Sequence, residues 1–92
     1  MKEAPYIWLI SGCSSGFGRE IALKALSMGD LVGVSSRNTE DVKDICKAFP
    51  KTSIPIKLDV TKKDEIKESI KKINKNFGGL DVLVNNAGYG YL

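Results

Sequence analysis

The sequence predicts an α/β fold, a three-layer sandwich in which helices cover both faces of one parallel β-sheet. Three observations support this prediction. Short apolar runs alternate with stretches of helical periodicity, a glycine-rich segment follows the first apolar run, and turn residues separate the elements. The resulting order βαβαβαβ implies right-handed crossovers, and in a doubly wound sheet the strands then lie in the order 3-2-1-4.

The first strand and helix lie on either side of the glycine-rich segment. Residues 6–10 form a nearly continuous apolar run, which is typical of a strand buried in a parallel sheet. Residues 19–28 have helical periodicity, and Gly29 ends this helix. One face of the helix is apolar and consists of Ile21, Ala22, Ala25 and Leu26.

The second strand and helix occupy the middle of the chain. Residues 31–35 form the strand, and either Asn38 or Thr39 can cap the helix that follows. Pro50 stops this helix, because proline lacks the N–H that a helix interior needs. The apolar face of the helix has the spacing i, i+3, i+4, i+7 and consists of Val42, Ile45, Cys46 and Phe49.

The last third of the chain repeats the alternation. Residues 53–58 form the third strand, where Pro55 suits an edge position because it cannot donate to a neighbouring strand. Thr61 and Asp64 are expected to form a capping box for the third helix. The inward side chains of that helix are Ile66, Ile70 and Ile73, the closing residues are Gly78 and Gly79, and the fourth strand spans residues 80–84.

Composition limits the class of protein. A chain of 92 residues suffices for one small domain, and its 42% hydrophobic and 27% charged content is typical of a globular protein. The net charge of +3 comes partly from lysines within residues 62–75, which we interpret as a solvated helix face and not as a nucleic-acid site. The absence of histidine excludes zinc sites and Ser-His or Cys-His catalysis that rely on histidines of this chain.

The two cysteines, Cys13 and Cys46, do not form a CxxC pair. We predict reduced thiols and a cytoplasmic location. Residues 10–13 resemble a lipoprotein processing site, but the apolar run before them is shorter than the roughly 7–15 residues that a signal peptide needs. We therefore expect neither a lipid anchor nor a membrane span.

The glycine-rich segment, residues 11–18, follows the first strand and leads into the first helix. Its spacing, Gly-x-x-x-Gly-x-Gly, lets the backbone turn sharply and approach a ligand closely. The N-terminus of the next helix offers free N–H groups and a positive dipole end to an anion. We therefore predict a pyrophosphate site with a dinucleotide as its ligand. A turn that merely requires positive φ angles is the alternative.

Characteristic segments stand after three of the predicted strands: residues 11–18, Asp59, and the run Asn85-Asn86-Ala87-Gly88. Together they resemble the short-chain dehydrogenase/reductase family, whose members have a Rossmann fold. The resemblance spans nearly the whole chain in register. Ser11 departs slightly from the family pattern, in which threonine is more usual, but either hydroxyl can bond to nearby backbone. For Asp59 and for residues 85–88, ordinary turn residues are the alternative.

The resemblance implies roles in binding a nicotinamide dinucleotide. Phe17 would lie near the pyrophosphate, beside a loop shaped by the glycines. Asp59 would accept a hydrogen bond from the adenine amino group, with Val60 beside the ring. Asn86 and its two successors would line the ribose, and Asn85 would brace the sheet.

The end of the second strand indicates which cofactor is bound. NAD-binding proteins place a carboxylate roughly 20 residues beyond the glycine motif. This chain has Ser36 there and Arg37 after it; a guanidinium can pair with a 2′-phosphate, and serine hydroxyls can donate to it. We therefore predict NADP in preference to NAD, with a solvated arginine as the alternative. The full set of predicted cofactor-binding residues is Gly12, Ser14, Ser15, Gly16, Phe17, Gly18, Ser36, Arg37, Asp59, Val60, Asn86, Ala87 and Gly88.

Catalytic residues are missing from this stretch. The family transfers hydride with a serine and a Tyr-x-x-x-Lys pair that normally lie after the Asn-Asn-Ala-Gly segment, where this chain has only Tyr89-Gly90-Tyr91-Leu92. The resemblance implies that residues 1–92 form one partial NAD(P)-binding Rossmann domain of an enzyme acting on an alcohol or carbonyl. A non-catalytic nucleotide-binding module and a fragment inactive on its own are the alternatives.

The predicted topology is uneven, since two helices cover one face of the sheet and one helix covers the other. The fourth strand would be a bare apolar edge. We therefore expect the isolated chain either to self-associate or to be only marginally folded.

Overall fold

The computed structural model describes residues 4–86 and contains one parallel sheet of four strands in the order β3-β2-β1-β4. This order and the alternation of strands and helices confirm the predicted Rossmann-type fold. The strands are β1 (Ile7–Ile10), β2 (Leu31–Ser36), β3 (Ser53–Lys57) and β4 (Val82–Val84). The helices are α1 (Gly16–Ser27), α2 (Lys43–Ala48) and α3 (Lys63–Phe77), and a 3-10 turn over Thr39–Val42 precedes α2.

The two faces of the sheet carry separate cores. On one face, α1 and α2 pack against β1 and β2, with Leu26, Val34 and Ile45 buried. On the other face α3 packs alone, with Ile73 against Leu9. The predicted unequal cover of two helices against one is therefore confirmed for the described residues. An ion pair between Arg19 and Asp44 joins α1 to α2, and the hydrogen bond from Arg19 holds the pKa of Asp44 below its ordinary value.

The two edge strands differ in how well they are protected against pairing with another chain. Pro55 lies in the edge strand β3, as predicted. Among the described residues, β4 forms the other edge and spans only Val82–Val84. The side chain of Leu83 in that strand is 58% exposed.

A buried carboxylate closes the amino ends of the central strands. Asp30 is fully buried between α1 and β2. It accepts hydrogen bonds from the Tyr6 backbone N–H at 3.1 Å and from the Trp8 indole Nε1 at 3.0 Å. The loops that could bind a ligand lie at the opposite, carboxyl ends of the same strands. No helix within residues 4–86 is long and apolar enough to cross a membrane.

The capping box predicted for α3 is wrong. Lys62 occupies the N-cap position, and its side chain caps no N–H of the helix. The Thr61 hydroxyl instead donates to Asp59 at 2.6 Å. The carboxylate that bonds back to the preceding chain belongs to Glu65, one residue after the predicted Asp64, and it accepts from the Asp59 N–H at 2.8 Å.

Candidate functional site

The glycine-rich segment forms a tight loop between β1 and α1. Gly12 and Gly16 adopt positive φ angles of 67° and 66°, a region that glycine enters without steric strain. Helix α1 begins at Gly16, with Ser15 as its N-cap in an extended conformation. The Ser15 side chain caps no N–H, and the first turn contains no acidic residue. The positive end of the helix dipole is therefore available to an anion.

Gly18 lets α1 lie directly against this loop. A Cβ atom built on Gly18 would overlap the Gly12 carbonyl oxygen and would lie 2.6 Å from the Asn86 side-chain nitrogen. The Asn86 amide donates to the same Gly12 carbonyl at 3.4 Å. Gly18 therefore serves the close packing of helix and loops and is not itself exposed to a ligand.

Ser11 ties the glycine-rich loop to the end of β4. The Asn86 backbone N–H donates to the Ser11 hydroxyl oxygen at 2.7 Å, and the hydroxyl donates to the Val84 carbonyl at 3.2 Å. The serine thus performs the backbone bonding expected of a hydroxyl at this position. Asn85 lies 3.5 Å from the Ser11 hydroxyl, at the limit of a hydrogen bond.

Cys13 lies within the same loop, but its thiol faces inward. The side chain is fully buried and donates to the Ile10 carbonyl at 3.1 Å. Burial raises the pKa of the Cys13 thiol to about 11. Because the thiolate is the reactive form, this cysteine is not a nucleophile at neutral pH.

The chain after β2 folds into a hydrogen-bonded turn. The Ser36 hydroxyl donates to the Asn38 carbonyl at 2.9 Å and accepts from the Asn38 N–H at 3.2 Å. The Asn38 side chain caps the following 3-10 turn by accepting from the Glu40 N–H at 3.0 Å. The cap predicted for the second helix therefore belongs to this turn, since α2 itself begins after Val42, which offers no side-chain cap. Arg37 is exposed, and within residues 4–86 it makes no ion pair or hydrogen bond.

The chain after β3 forms a second turn. Asp59 accepts from both the hydroxyl and the backbone N–H of Thr61, and these bonds hold the pKa of Asp59 below its ordinary value. Glu65 of α3 accepts from the Asp59 N–H and from Lys57 Nζ at 3.1 Å, and both bonds lower the pKa of Glu65. Asp59 is therefore a turn residue, the alternative considered from the sequence, and it also faces the cleft described next.

These loops enclose a cleft of about 370 Å³ at the carboxyl edge of the sheet. The predicted site residues that line the cleft are Gly12, Ser14, Ser15, Ser36, Arg37, Asp59, Val60 and Asn86. Gly16 and Gly18 do not line it, although they shape the adjoining loop. Ala87 and Gly88 lie outside the described residues.

Phe17 is not brought to the cleft. Its side chain is 77% exposed and lines a separate, largely apolar hollow with Trp8 and Met28. Phe17 lies in the first turn of α1, which begins at Gly16 and not near Arg19 as the sequence predicted.

Three further residues line the cleft without having been predicted: Asp41, Leu58 and Thr61. Leu58 continues the apolar strand β3, and the spacing Asp-x-Thr is a known signal for the turn that places Thr61. Asp41 had no comparable signal, because the 3-10 turn brings it back to the cleft after five residues of chain beyond Ser36.

The cleft suits a dinucleotide on chemical grounds. Its lining includes the hydroxyls of Ser14 and Ser15 beside the uncapped start of α1, and the guanidinium of Arg37. Such donors match phosphate oxygens. No group of three or more histidine, cysteine, aspartate or glutamate side chains that could hold a metal ion occurs within residues 4–86.

Comparison with known proteins gives a consistent result. Residues 6–91 match the family model described as short chain dehydrogenase. The chain is 39% identical over 84 residues to an oxidoreductase, BOA17, from Botryotinia fuckeliana, covering 90% of this chain and 31% of that protein. It is 43% identical over 84 residues to a 3-oxoacyl-[acyl-carrier-protein] reductase, FabG, from Staphylococcus epidermidis, covering 87% and 34% of the two chains.

Solved structures agree with these sequence relatives. A short-chain dehydrogenase from Streptomyces avermitilis superposes with a TM-score of 0.88 at 42% identity, covering 92% of this chain and 31% of that one. A hydroxysteroid dehydrogenase from Escherichia coli superposes with a TM-score of 0.86 at 27% identity, covering 94% and 38%. The chain therefore spans about a third of the length of the proteins that it matches.

Proposed function

Because the chain belongs to the short-chain dehydrogenase family, we propose that it is the NADP(H)-binding portion of an oxidoreductase that interconverts an alcohol and a carbonyl compound. The family binds nicotinamide dinucleotides, which supply the hydride in such reactions. The observation that carries the choice of NADP is the exposed guanidinium of Arg37 at the rim of the cleft. Within residues 4–86 this cation makes no ion pair and interacts with the Asp59 carboxylate only at longer range, so a 2′-phosphate could neutralise it.

The other cleft residues support binding of the rest of the dinucleotide. The N–H groups at the start of α1, with Ser14 and Ser15, would hold the pyrophosphate. One carboxylate oxygen of Asp59 is bonded to Thr61, which leaves the second oxygen to accept from the adenine amino group beside Val60. Asn86, which is fixed by Ser11, would lie on the ribose side with Ala87 and Gly88.

The test of the cofactor is calorimetric titration of the chain with NADP⁺ and NAD⁺. We expect NADP⁺ to bind about tenfold more tightly or better, since a charge-assisted contact contributes roughly 1.5–3 kcal/mol. Arg37→Asp should reverse the preference. Lys47→Asp is the matched control, because Lys47 is also exposed but does not line the cleft. Equal affinities of the unaltered chain for both dinucleotides would contradict the proposal.

Catalysis is expected to need residues that this stretch does not contain. Residues 1–92 carry no Tyr-x-x-x-Lys pair, and general acid–base help typically contributes 10²–10⁴-fold. We therefore expect no NADPH-linked carbonyl reduction by this chain alone, measured as loss of the reduced-nicotinamide absorbance. The second candidate, a non-catalytic nucleotide-binding module, would gain support if the reading frame beyond Leu92 also lacked such a pair.

We further propose that the isolated chain self-associates and resides in the cytoplasm. The exposed Leu83 on the short edge strand β4 and the single helix on one face of the sheet support association through apolar surface. Both cysteines are free thiols, which supports a reducing compartment. Sedimentation at micromolar concentration should detect dimers or larger species. A monomer with a sharp thermal transition would contradict the association.

A further inference from the structure

We propose that Asp41 is a specificity-determining residue of the cleft, whose carboxylate opposes the 2′-phosphate that Arg37 attracts. This inference rests on the proposed function, because it concerns how the same cleft discriminates between two dinucleotides. In this arrangement the chain keeps appreciable affinity for the unphosphorylated dinucleotide. The preference for NADP is then smaller than Arg37 alone would produce.

Asp41 lies next to the residues that follow β2. The residue lies in the 3-10 turn after β2 and lines the cleft together with Ser36 and Arg37. Its backbone N–H donates to the Asn38 carbonyl at 3.0 Å, and its carboxylate Oδ2 lies 3.4 Å from the Ser36 hydroxyl. A carboxylate therefore stands beside the serine that takes the place of the usual acidic residue.

The carboxylate of Asp41 differs from those of the nearby acidic residues in having no paired cation within residues 4–86. Its two acidic neighbours in the chain are paired with cations, Glu40 with Lys43 and Asp44 with Arg19. Asp41 makes no ion pair within the described part of the chain, and the side chain is exposed. Its carboxylate therefore faces the cleft without a paired cation.

The hydroxyl of Ser36 is already engaged within the turn after β2. Its proton is directed at the Asn38 carbonyl, with the Asp41 carboxylate as the other acceptor within reach. Donation to a 2′-phosphate would require this turn to reorganise. The Ser36–Asp41 pair therefore offers acceptors, which suit a ribose 2′-hydroxyl, whereas Arg37 offers donors, which suit a phosphate of about −1.5 to −2 charge.

The experiment measures the dissociation constants of NADP⁺ and NAD⁺ for the unaltered chain, Asp41→Asn and Asp41→Ala. Removal of the negative charge should tighten NADP⁺ binding by roughly three- to tenfold, while NAD⁺ binding stays unchanged or weakens. The alanine variant excludes a new hydrogen bond from the asparagine amide as the cause of any gain. Glu40→Gln is the matched control, because it removes the same charge one residue away, outside the residues that line the cleft.

The outcomes separate this inference from the proposed function. A higher ratio of NADP⁺ to NAD⁺ affinity in both Asp41 variants, and not in Glu40→Gln, supports it. An unchanged ratio in a chain that still prefers NADP⁺ overturns the inference and leaves the proposed function intact. Failure of the unaltered chain to bind either dinucleotide overturns both. An equal rise in the ratio of NADP⁺ to NAD⁺ affinity in Glu40→Gln would show that net charge causes the effect, and it would overturn the role of Asp41.

Discussion

Two parts of the cleft lining are constructed in different ways. Around the glycine-rich loop the main chain forms the lining, through the positive φ angles of Gly12 and Gly16 and the uncapped start of α1. After β2 side chains form it, chiefly those of Ser36, Arg37 and Asp41. The part around the glycine-rich loop therefore depends on backbone geometry. The part after β2 depends on which charged side chains a short turn places at the cleft.

This difference predicts two kinds of response to substitution. A main-chain site is damaged when the backbone can no longer follow its path, and the damage extends to the packing of loop and helix. A side-chain site changes its selectivity while the fold remains intact.

Gly18→Ala should have the largest effect, because the added Cβ would overlap the Gly12 carbonyl, a backbone atom that cannot rotate away. We expect a loss of unfolding free energy of about 3 kcal/mol or more, a large part of the stability of a small domain. Urea denaturation measures it. Gly79→Ala is the control, since a Cβ there would meet only Ile7 Cδ1, at 3.9 Å. Equal stability of the two variants would break the claim that α1 and the loop need close contact.

Gly16→Val should abolish dinucleotide binding while most helix content remains. The space around Gly16 is open, so the effect comes from its φ of +66°, which a β-branched residue does not readily adopt. The loss of two or more charge-assisted bonds to phosphate corresponds to roughly a hundredfold weaker affinity. Calorimetry and circular dichroism together test this.

Gly29→Val provides the matched control for that variant. Gly29 also has open space and a positive φ, of 88°, but it lies beyond the other end of α1. We expect comparable backbone strain with unchanged affinity. Loss of binding in Gly29→Val as well would mean that strain in α1, and not the shape of the glycine-rich loop, controls binding.

Glu65→Gln should make the turn beside the cleft less sensitive to acid. Bonds from the Asp59 N–H and from Lys57 keep the pKa of Glu65 below its ordinary value of 4.5. The stability that the carboxylate contributes is therefore full above pH 4.5 and is lost as the pH falls through the lower folded-state value. Unfolding midpoints between about pH 7 and pH 3 should fall less steeply in the variant than in the unaltered chain. Parallel curves would show that Glu65 does not contribute to the acid sensitivity.

Ser36→Ala should have the smallest effect. Its hydroxyl proton is used within the turn, so the ratio of NADP⁺ to NAD⁺ affinity should change by less than about twofold. The same titrations measure the ratio. A tenfold fall in the ratio of NADP⁺ to NAD⁺ affinity would show that Ser36 donates directly to the 2′-phosphate. The side chains after β2 would then supply a second donor besides Arg37.

The sequence was sufficient for the larger features of the fold. Alternating apolar runs and the handedness of crossovers predict the strand order, and Pro55 independently identifies an edge strand. Local side-chain bonding was harder to predict. Thr61 fits a capping-box pattern, yet α3 begins one residue later than that pattern requires, with Lys62 at the N-cap. The Thr61 hydroxyl and backbone N–H instead both donate to the Asp59 carboxylate, which closes a local turn.

In the site, too, some residues could be predicted from the sequence and others could not. The loop residues Gly12, Ser14 and Ser15 follow from their place between a strand and a helix. Asp41 could not be found in this way, since its return to the cleft depends on the path of the 3-10 turn and not on any spacing to the glycine motif. The contacts of side chains in short irregular turns depend on the path of the backbone, so they can be assigned from the structure but not from the sequence.

The bond between Trp8 and the buried Asp30 gives this chain an intrinsic optical probe. Trp8 is the only tryptophan in the sequence, so all indole fluorescence arises at one place. Its ring nitrogen donates to Asp30 at the amino ends of the strands, away from the cleft at their carboxyl ends. The emission spectrum therefore reports whether β1 is joined to the start of β2. Unfolding can be followed by this signal in every variant discussed above, without labelling the protein.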